Sequence, residues 1–447
     1  MNPETAFKAY DIRGRSDLGE IDSALYRLVG NAFTGLAGAG VVAVGRDCRA
    51  SSPEFFDALC EGITAAGDDV IDVGEVPTDA VYYYSGAHAM PGAMITASHN
   101  PPQYNGLKLC LPGARPVGVD SGLGEIKQAV LANRMSTSLP AGTIRSEDIV
   151  NDYITHLFGI VDPETIGALS VAVDGGNGMA GIALERVFAR LSATLSGLYL
   201  EPDGSFPNHP PDPLVEENLN DLVQLMGDGL YDLGVAFDGD ADRAFFLDDT
   251  GMPLSGSTVT ALIARRLLRE HPGASIVHNL ITSKAVPEIV SENGGTPVRT
   301  RVGHSFIKQV MADSGAVFGG EHSGHYYFRS NYRADSGMLA MLVLLNVLSE
   351  SGRPLSELRL EVERYSTSGE INFTVEDPLK VMAQIETSIT HAVEIDHLDG
   401  LTVDYGEAWF NLRPSNTEPL LRLNVEAKTN DHVSEIVQMV ATAVQGE

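Results

Sequence analysis

Four short stretches of the chain carry residue types that could act together in chemistry. DGDADR, Asp238 to Arg243, sets three carboxylates at alternate positions: Asp238, Asp240 and Asp242. A curved loop can turn all three inward as hard oxygen ligands, a donor set that suits Mg2+. A calcium EF-hand loop does not fit. Arg243 stands at its sixth position, where glycine is needed, and Asp249 at its twelfth, where glutamate is needed. A solvated acidic turn is the plain alternative, although clustered carboxylates repel without a cation.

MITASHNPPQYNGLK, Met94 to Lys108, holds Ser98 next to His99 and ends on Lys108. A serine hydroxyl is a poor nucleophile unless a base or a metal activates it. Pro101, Pro102 and Gly106 restrict the loop, and Gly106 permits close backbone approach. A Ser-His-Asp hydrolase reading is weak: adjacent side chains usually point apart, and no G-x-S-x-G elbow is present. In GGEHSGHYYF, Gly319 to Phe328, the alternation of Glu321, Ser323 and His325 predicts an extended segment with all three on one side. Such a face suits vicinal sugar hydroxyls; a polar loop with a structural histidine is the alternative. RPSNTEP gathers Arg413, Ser415, Asn416 and Thr417, a natural phosphate clamp. A helix cap would explain Ser415 and Asn416 as well.

These groups need rigid elements to hold them. VVAVGRD (41–47), LSVAVDGGNG (169–178) and LGVAFDGDADR (233–243) each run an apolar, β-branched stretch into a Gly/Asp loop, and ASIVHNL (274–280) is a looser case. Such runs predict buried strands of a mostly parallel sheet. PEFFDALCEGITAAG (53–67) and GSTVTALIARRLLREH (256–271) have helical periodicity, the second behind a cap at Ser255 or Ser257. Strand–loop–helix alternation means α/β, with ligands at the carboxyl ends of the strands. VDGGNG, Asp174 to Gly178, reads as a structural turn. From about residue 365, period-two stretches such as EINFTVEDP and LLRLNVEAK predict an antiparallel sheet in a separate α+β domain. The expected organisation is three related α/β domains with mixed, mostly parallel sheets, at 1–145, 146–250 and 251–364. The α+β domain follows at 365–447.

The 447 residues include 60 acidic against 30 basic side chains, a formal charge of −30. That balance argues against nucleic acid or an anionic membrane as partner, since both need a basic face. Cys48, Cys60 and Cys110 are scattered, which disfavours a disulfide framework or a cysteine-rich zinc site. With no basic-then-apolar start and no long uncharged apolar run, a cytoplasmic location is expected.

Along nearly its whole length the chain resembles the α-D-phosphohexomutases, whose four motifs occur here in the family's order. TASHNP looks like the phosphoserine loop, DGDADR the Mg2+ loop, GEHSGH the sugar loop and RPSNTEP the phosphate loop. The resemblance implies four domains around a central cleft. It also implies a phosphoryl group on Ser98 and Mg2+ held by that phosphate with Asp238, Asp240 and Asp242. A hexose 1,6-bisphosphate, also the activator, turns over inside the cleft, so that hexose 1-phosphate and 6-phosphate interconvert. Proton transfer and charge stabilisation fall to His325, Lys108, Arg243 and Arg13; Glu321, Ser323, His325, Gly303, His304, Tyr10 and His99 line the sugar site. Arg413, Ser415, Asn416 and Thr417 grip the phosphate that is not reacting. TASHNPPQYNGLK and GEHSGHYYF look most like the bacterial phosphomannomutase/phosphoglucomutase branch; a phosphoglucosamine mutase and a Mg2+-dependent sugar phosphatase are the alternatives. Many relatives carry a basic residue where Ile281 stands, a place that Lys284 could fill. The expected partner is a phosphorylated hexose, with the protein a monomer or weak dimer.

Overall fold

The computed structural model describes residues 3–38, 40–414 and 420–445. Among them the strands form four sheets. In the first, Val41–Arg46 lies between two parallel neighbours, Asp69–Glu75 and Gly92–Ile95. Tyr104–Leu111 then runs antiparallel to Gly92–Ile95 and Ile12–Arg15 antiparallel to Tyr104–Leu111. The second sheet sets Leu233–Phe237 parallel to Ser170–Asp174 and antiparallel to Ala244–Leu247. The third repeats this plan: Ser275–Asn279 is parallel to Thr296–Thr300 and to Phe318–Gly320, which turns back through Tyr326–Phe328. The fourth is wholly antiparallel, in the order Ser366–Thr374, Leu420–Ala427, Ala408–Pro414, Leu401–Asp404, Glu394–Asp396. The α/β-plus-α+β expectation therefore holds.

The strands form where apolar, β-branched runs are buried on both faces: all of Leu233–Phe237 is buried, as is Val171–Asp174. Helices Ser52–Ala65 and Gly256–Glu270 fall on the predicted periodic segments, and Ser255 rather than Ser257 caps the second, accepting from the Thr258 N–H. A continuous apolar core joins the first three sheets, with Ile71, Tyr153, Val173, Phe237, Leu262 and Phe318 among its members. Helix Gly337–Ser351 is buried from Gly337 to Leu348, deep in this core. The fourth sheet packs instead on its own core of Phe410, Leu412, Leu423 and Val440. No single helix among the described residues is long and apolar enough to cross a membrane.

Three candidate loops leave the carboxyl ends of strands, one from each of the first three sheets: Thr96–Asn100 after Gly92–Ile95, Asp238–Asp242 after Leu233–Phe237, and Glu321–His325 after Phe318–Gly320. They interlock closely. A Cβ on Gly239 would lie 2.5 Å from the Ser98 carbonyl oxygen, so only glycine lets the two backbones meet.

The 174–178 turn is structural, as its sequence suggested. Asp174 accepts from the Gly176 N–H at 2.8 Å and meets His209 Nε2 at 3.0 Å, while His209 Nδ1 faces the Pro210 carbonyl at 2.8 Å. Two acceptors on two ring nitrogens favour the doubly protonated ring. Burial opposes that charge, but the bonds to Asp174 and Pro210 outweigh it and raise the pKa above its ordinary value. The stabilisation is therefore complete below about pH 6.5 and fades as pH rises through the raised folded-state value. His209→Gln should lower the thermal midpoint by about one or two degrees at the acid end, with the gap closing towards about pH 9. A gap that stays constant across that range in thermal unfolding would contradict this role.

Candidate active site

The acidic loop is the deepest part of the site. Asp238, Asp240 and Asp242 are buried, and each offers an oxygen within 4.8 Å of the others. Neighbouring segments answer this charge. Lys108 Nζ donates to Asp240 Oδ2 at 2.7 Å and to Asp242 Oδ2 at 2.5 Å. Arg243 Nε donates to Asp238 Oδ2 at 2.9 Å, and Thr78 Oγ1 to Asp240 Oδ2 at 2.6 Å. Burial lowers the Lys108 pKa, but Asp240 and Asp242 outweigh it and hold the ammonium charged. Burial likewise pushes Asp238 upward, opposed by Arg243. Among the described residues, Oδ1 of Asp240 and Oδ1 of Asp242 are buried without a hydrogen-bond partner. Two orphaned carboxylate oxygens beside a third carboxylate are the donor set of a hard divalent cation, so the residues present fit a metal ion.

Ser98 Oγ donates to Asp238 Oδ2 at 2.7 Å and lies 3.5 Å from Arg243 Nη2. The serine is buried, at a left-handed φ of 50°. A side chain in that region stores strain and is kept only where its surroundings over-determine it. The left-handed turn also brings His99 Nδ1 to 3.3 Å from Ser98 Oγ, where sequence adjacency had suggested side chains pointing apart. Burial, then Arg243 and Arg13, depress the His99 pKa far below the usual range, so this ring is neutral. Arg13 reaches Asn100 Oδ1 at 2.6 Å and Asp11 at 2.5 Å.

The sugar-loop residues converge by a different route from the one their spacing predicted. Residues 321–325 are not extended. They close a hairpin between Phe318–Gly320 and Tyr326–Phe328, with the Glu321 N–H donating to the His325 carbonyl at 3.0 Å. The turn brings Ser323 Oγ to 3.1 Å from His325 Nδ1, and Glu321 Oε2 to 3.7 Å. His325 Nε2 looks the other way, towards Asp242 Oδ1 at 3.7 Å, and the His325 backbone bridges that of Arg243. Burial lowers its pKa, partly offset by Asp242, Glu321 and Asp335, which leaves a neutral imidazole able to take a proton. Gly303 caps helix His304–Ser314 at φ 131° and donates to Glu321 Oε1 at 3.2 Å; a Cβ there would meet the Tyr10 hydroxyl at 2.5 Å.

Tyr10, Arg13, Ser98, His99, Lys108, Arg243 and His325 line one cavity of about 400 Å³. Gly303, Glu321, Ser323, His325 and Arg413 line a second of about 1000 Å³ between the third and fourth sheets. His325 belongs to both, so the two cavities meet at that residue. Ser415, Asn416 and Thr417 lie outside the described residues, as does the side chain of His304. Ile281 lines the larger cavity, but Lys284 does not take its place: its ammonium donates to Asp404 and the Gly406 carbonyl, tying the third sheet to the fourth.

Comparisons with known proteins show which family the chain belongs to. The phosphoglucomutase/phosphomannomutase models match in order: α/β/α domain I at residues 4–135, domain II at 151–251, domain III at 255–365 and the C-terminal domain at 370–443. The chain is 40% identical over 426 residues to a protein of Xanthomonas campestris described as phosphohexose mutases, covering 95% of each. The chain belongs to the phosphoglucomutase/phosphomannomutase family. An Escherichia coli phosphomannomutase is 37% identical over 442 residues, 96% of each chain. A crystal structure of a phosphoglucomutase/phosphomannomutase family protein from Burkholderia thailandensis superposes with a TM-score of 0.92 at 32% identity, over 100% of this chain and 98% of that one.

Within this member of the family, one residue that its motifs do not flag organises the serine loop. Arg49 is buried, and all five of its N–H groups are used. Nε goes to Asp47 Oδ2 at 3.0 Å, Nη1 to the Pro101 and Tyr104 carbonyls at 2.7 and 3.0 Å, and Nη2 to the Ser98 and Asn100 carbonyls at 2.8 and 2.7 Å. The only sequence signal was GRDCR at the end of the first predicted strand, which periodicity cannot connect to a loop some fifty residues later.

The acidic trio predicts its own response to metal. Added divalent cation should raise the thermal midpoint by mass action. Asp240→Asn should weaken binding, read by calorimetric titration, by more than the ~10-fold that loss of an outer-shell partner costs. Unchanged affinity in that variant would remove the trio as the metal site.

Proposed function

We propose that the protein is a cytoplasmic phosphohexomutase that interconverts hexose 1-phosphate and hexose 6-phosphate, with mannose and glucose as the hexoses. Turnover passes through a phosphorylated Ser98 and a hexose 1,6-bisphosphate that also serves as activator. The contact of Ser98 Oγ with Asp238 at 2.7 Å, inside a buried carboxylate trio at the floor of a cleft, carries the reading.

In the proposed cycle the sugar's free hydroxyl attacks the phosphorus on Ser98. A new sugar O–P bond forms as the Ser98 Oγ–P bond breaks, and the hydroxyl proton passes to His325. The neutral state of that ring and its place where the two cavities join support this role. The bisphosphate then turns end for end; its other phosphoryl group moves to Ser98, and the proton returns to the oxygen left behind. Asp238, Asp240 and Asp242, with the Ser98 phosphate, would hold Mg2+, which when bound neutralises phosphate charge and assists in-line transfer. Arg243 stabilises charge beside Ser98 Oγ, and Lys108 and Arg13 add positive charge to the cavity wall. Glu321 and Ser323 orient the sugar through its hydroxyls, with Gly303, His304, Tyr10 and His99 around them. Arg413, with Ser415, Asn416 and Thr417, grips the distant phosphate so that its binding energy positions the reacting end. The separate core of the fourth sheet supports a lid role for that domain, and a closed lid keeps water from the phosphoserine.

Incubation of the protein with mannose 1-phosphate, Mg2+ and a trace of hexose 1,6-bisphosphate should yield mannose 6-phosphate without matching release of inorganic phosphate. Stoichiometric inorganic phosphate with no 6-phosphate would mean a phosphatase instead. Arg49→Lys, which keeps the charge but loses the planar five-donor fork, should lower kcat by about a hundred-fold through misplacement of Ser98. KM for the hexose phosphate should stay nearly constant. A KM effect with kcat intact would contradict the role of Arg49 in holding the loop.

A further inference from the structure

On the fourth sheet, Arg413 and Arg422 are direct cross-strand partners, and both line the larger cavity. Two guanidinium groups side by side repel unless an anion lies between them. Here the anion is Glu370. Its Oε2 accepts from Arg413 Nη2 at 2.8 Å, and its Oε1 lies 3.3 Å from Arg422 Nη1. One carboxylate thus bridges two guanidinium groups, one oxygen to each, as a phosphate would. Glu370 comes from the neighbouring strand Ser366–Thr374, where the ladder register shifts between Thr367 and Glu370 and Gly369 takes a φ of 65°. Bulges of this kind re-aim a side chain. The Ser368 hydroxyl accepts from the Val425 N–H at 3.0 Å inside the same irregularity, which fixes its shape.

We propose that Glu370 is an internal stand-in for phosphate, an anion that reclaims the arginine pair whenever the sugar's distant phosphate lets go. The inference rests on the mutase reading, because only that cycle requires the clamp to release its phosphate in mid-turnover. Two bare guanidinium groups in a closing cleft would hold a phosphate dianion too firmly for the bisphosphate to turn. The carboxylate supplies an exchange partner, so neither bound state leaves the pair uncompensated. Its side chain and that of Arg422 are 28% and 29% exposed, open enough for such an exchange. Glu370 is a positioning residue on this reading: it acts on substrate only through the two arginines.

The test compares Ser98→Ala protein, which cannot transfer phosphate, with the Ser98→Ala/Glu370→Gln double variant. Mannose 1-phosphate is titrated into each by calorimetry. Loss of the competing carboxylate should tighten binding by about five-fold. In otherwise native protein, Glu370→Gln should lower KM and also lower kcat, because release from the clamp slows. Glu370→Asp, with its carboxylate drawn back by one methylene, should shift affinity the same way by less, and it serves where the glutamine variant does not fold. Equal or weaker binding in folded variants would overturn the proposal and leave Glu370 a structural ion pair, with the mutase reading intact. Failure of the Ser98→Ala protein to bind mannose 1-phosphate at all would overturn both.

Discussion

Three carboxylates confined within 4.8 Å and shut away from water are the constraint around which this molecule is arranged. Burial of such charge is costly unless opposite charge and hydrogen-bond donors reach it. The donors come from different parts of the chain: Thr78 from a helix start, Lys108 from a strand of the first sheet and Arg243 from the end of the acidic loop itself. Satisfying the trio therefore clamps the first sheet to the second, and the serine loop lies between them with its hydroxyl on Asp238. The close approach of Gly239 to Ser98 and the grip of Arg49 on the serine-loop carbonyls keep that hydroxyl in place.

The same electrostatic logic explains how so acidic a chain handles an anionic substrate. The net −30 is screened over a Debye length of about 8 Å at physiological salt, so a ligand inside the cleft responds chiefly to the groups that line it. Arg13, Lys108, Arg243, Arg413 and Arg422 line the two cavities, each with a carboxylate partner. The first three form one wall with the serine; the last two sit on a sheet with its own core. A serine wall at one end and a separately packed arginine pair at the other suit the proposed reaction, in which a two-headed ligand must be gripped, freed and gripped again.

Much of this was legible in the sequence, for identifiable reasons. Apolar runs ending in Gly/Asp loops marked strands such as Val41–Arg46 and Leu233–Phe237, because burial on both faces leaves no other pattern for a parallel strand. Carboxylates at alternate positions in DGDADR pointed to a loop that could hold a metal because few other needs justify such repulsion, and the fold does gather all three. The reading of Glu321, Ser323 and His325 as an extended face failed because a five-residue hairpin turn, with Gly324 at φ 83°, has no period of two. Arg49 was invisible because its grip on the serine loop is made entirely through backbone carbonyls, which leave no trace in side-chain spacing. The bridge from Glu370 to two arginines was equally hidden, since strand neighbours are set by register and by a bulge rather than by distance along the chain. Lys284 shows the converse: its charge and position made it a possible cleft residue, but its ammonium is held by Asp404 and the Gly406 carbonyl.

The central claim, that the residue 98 hydroxyl is the carrier through which phosphate changes places on one sugar, is tested most directly by a label chase. Protein bearing radiolabelled phosphate on Ser98 is mixed with unlabelled mannose 1-phosphate and Mg2+, and the label is followed by chromatography. Label passing from the serine into mannose 1,6-bisphosphate and then into mannose monophosphates is the expected result. Label that stays on the protein while product forms, or that leaves only as inorganic phosphate, would contradict it.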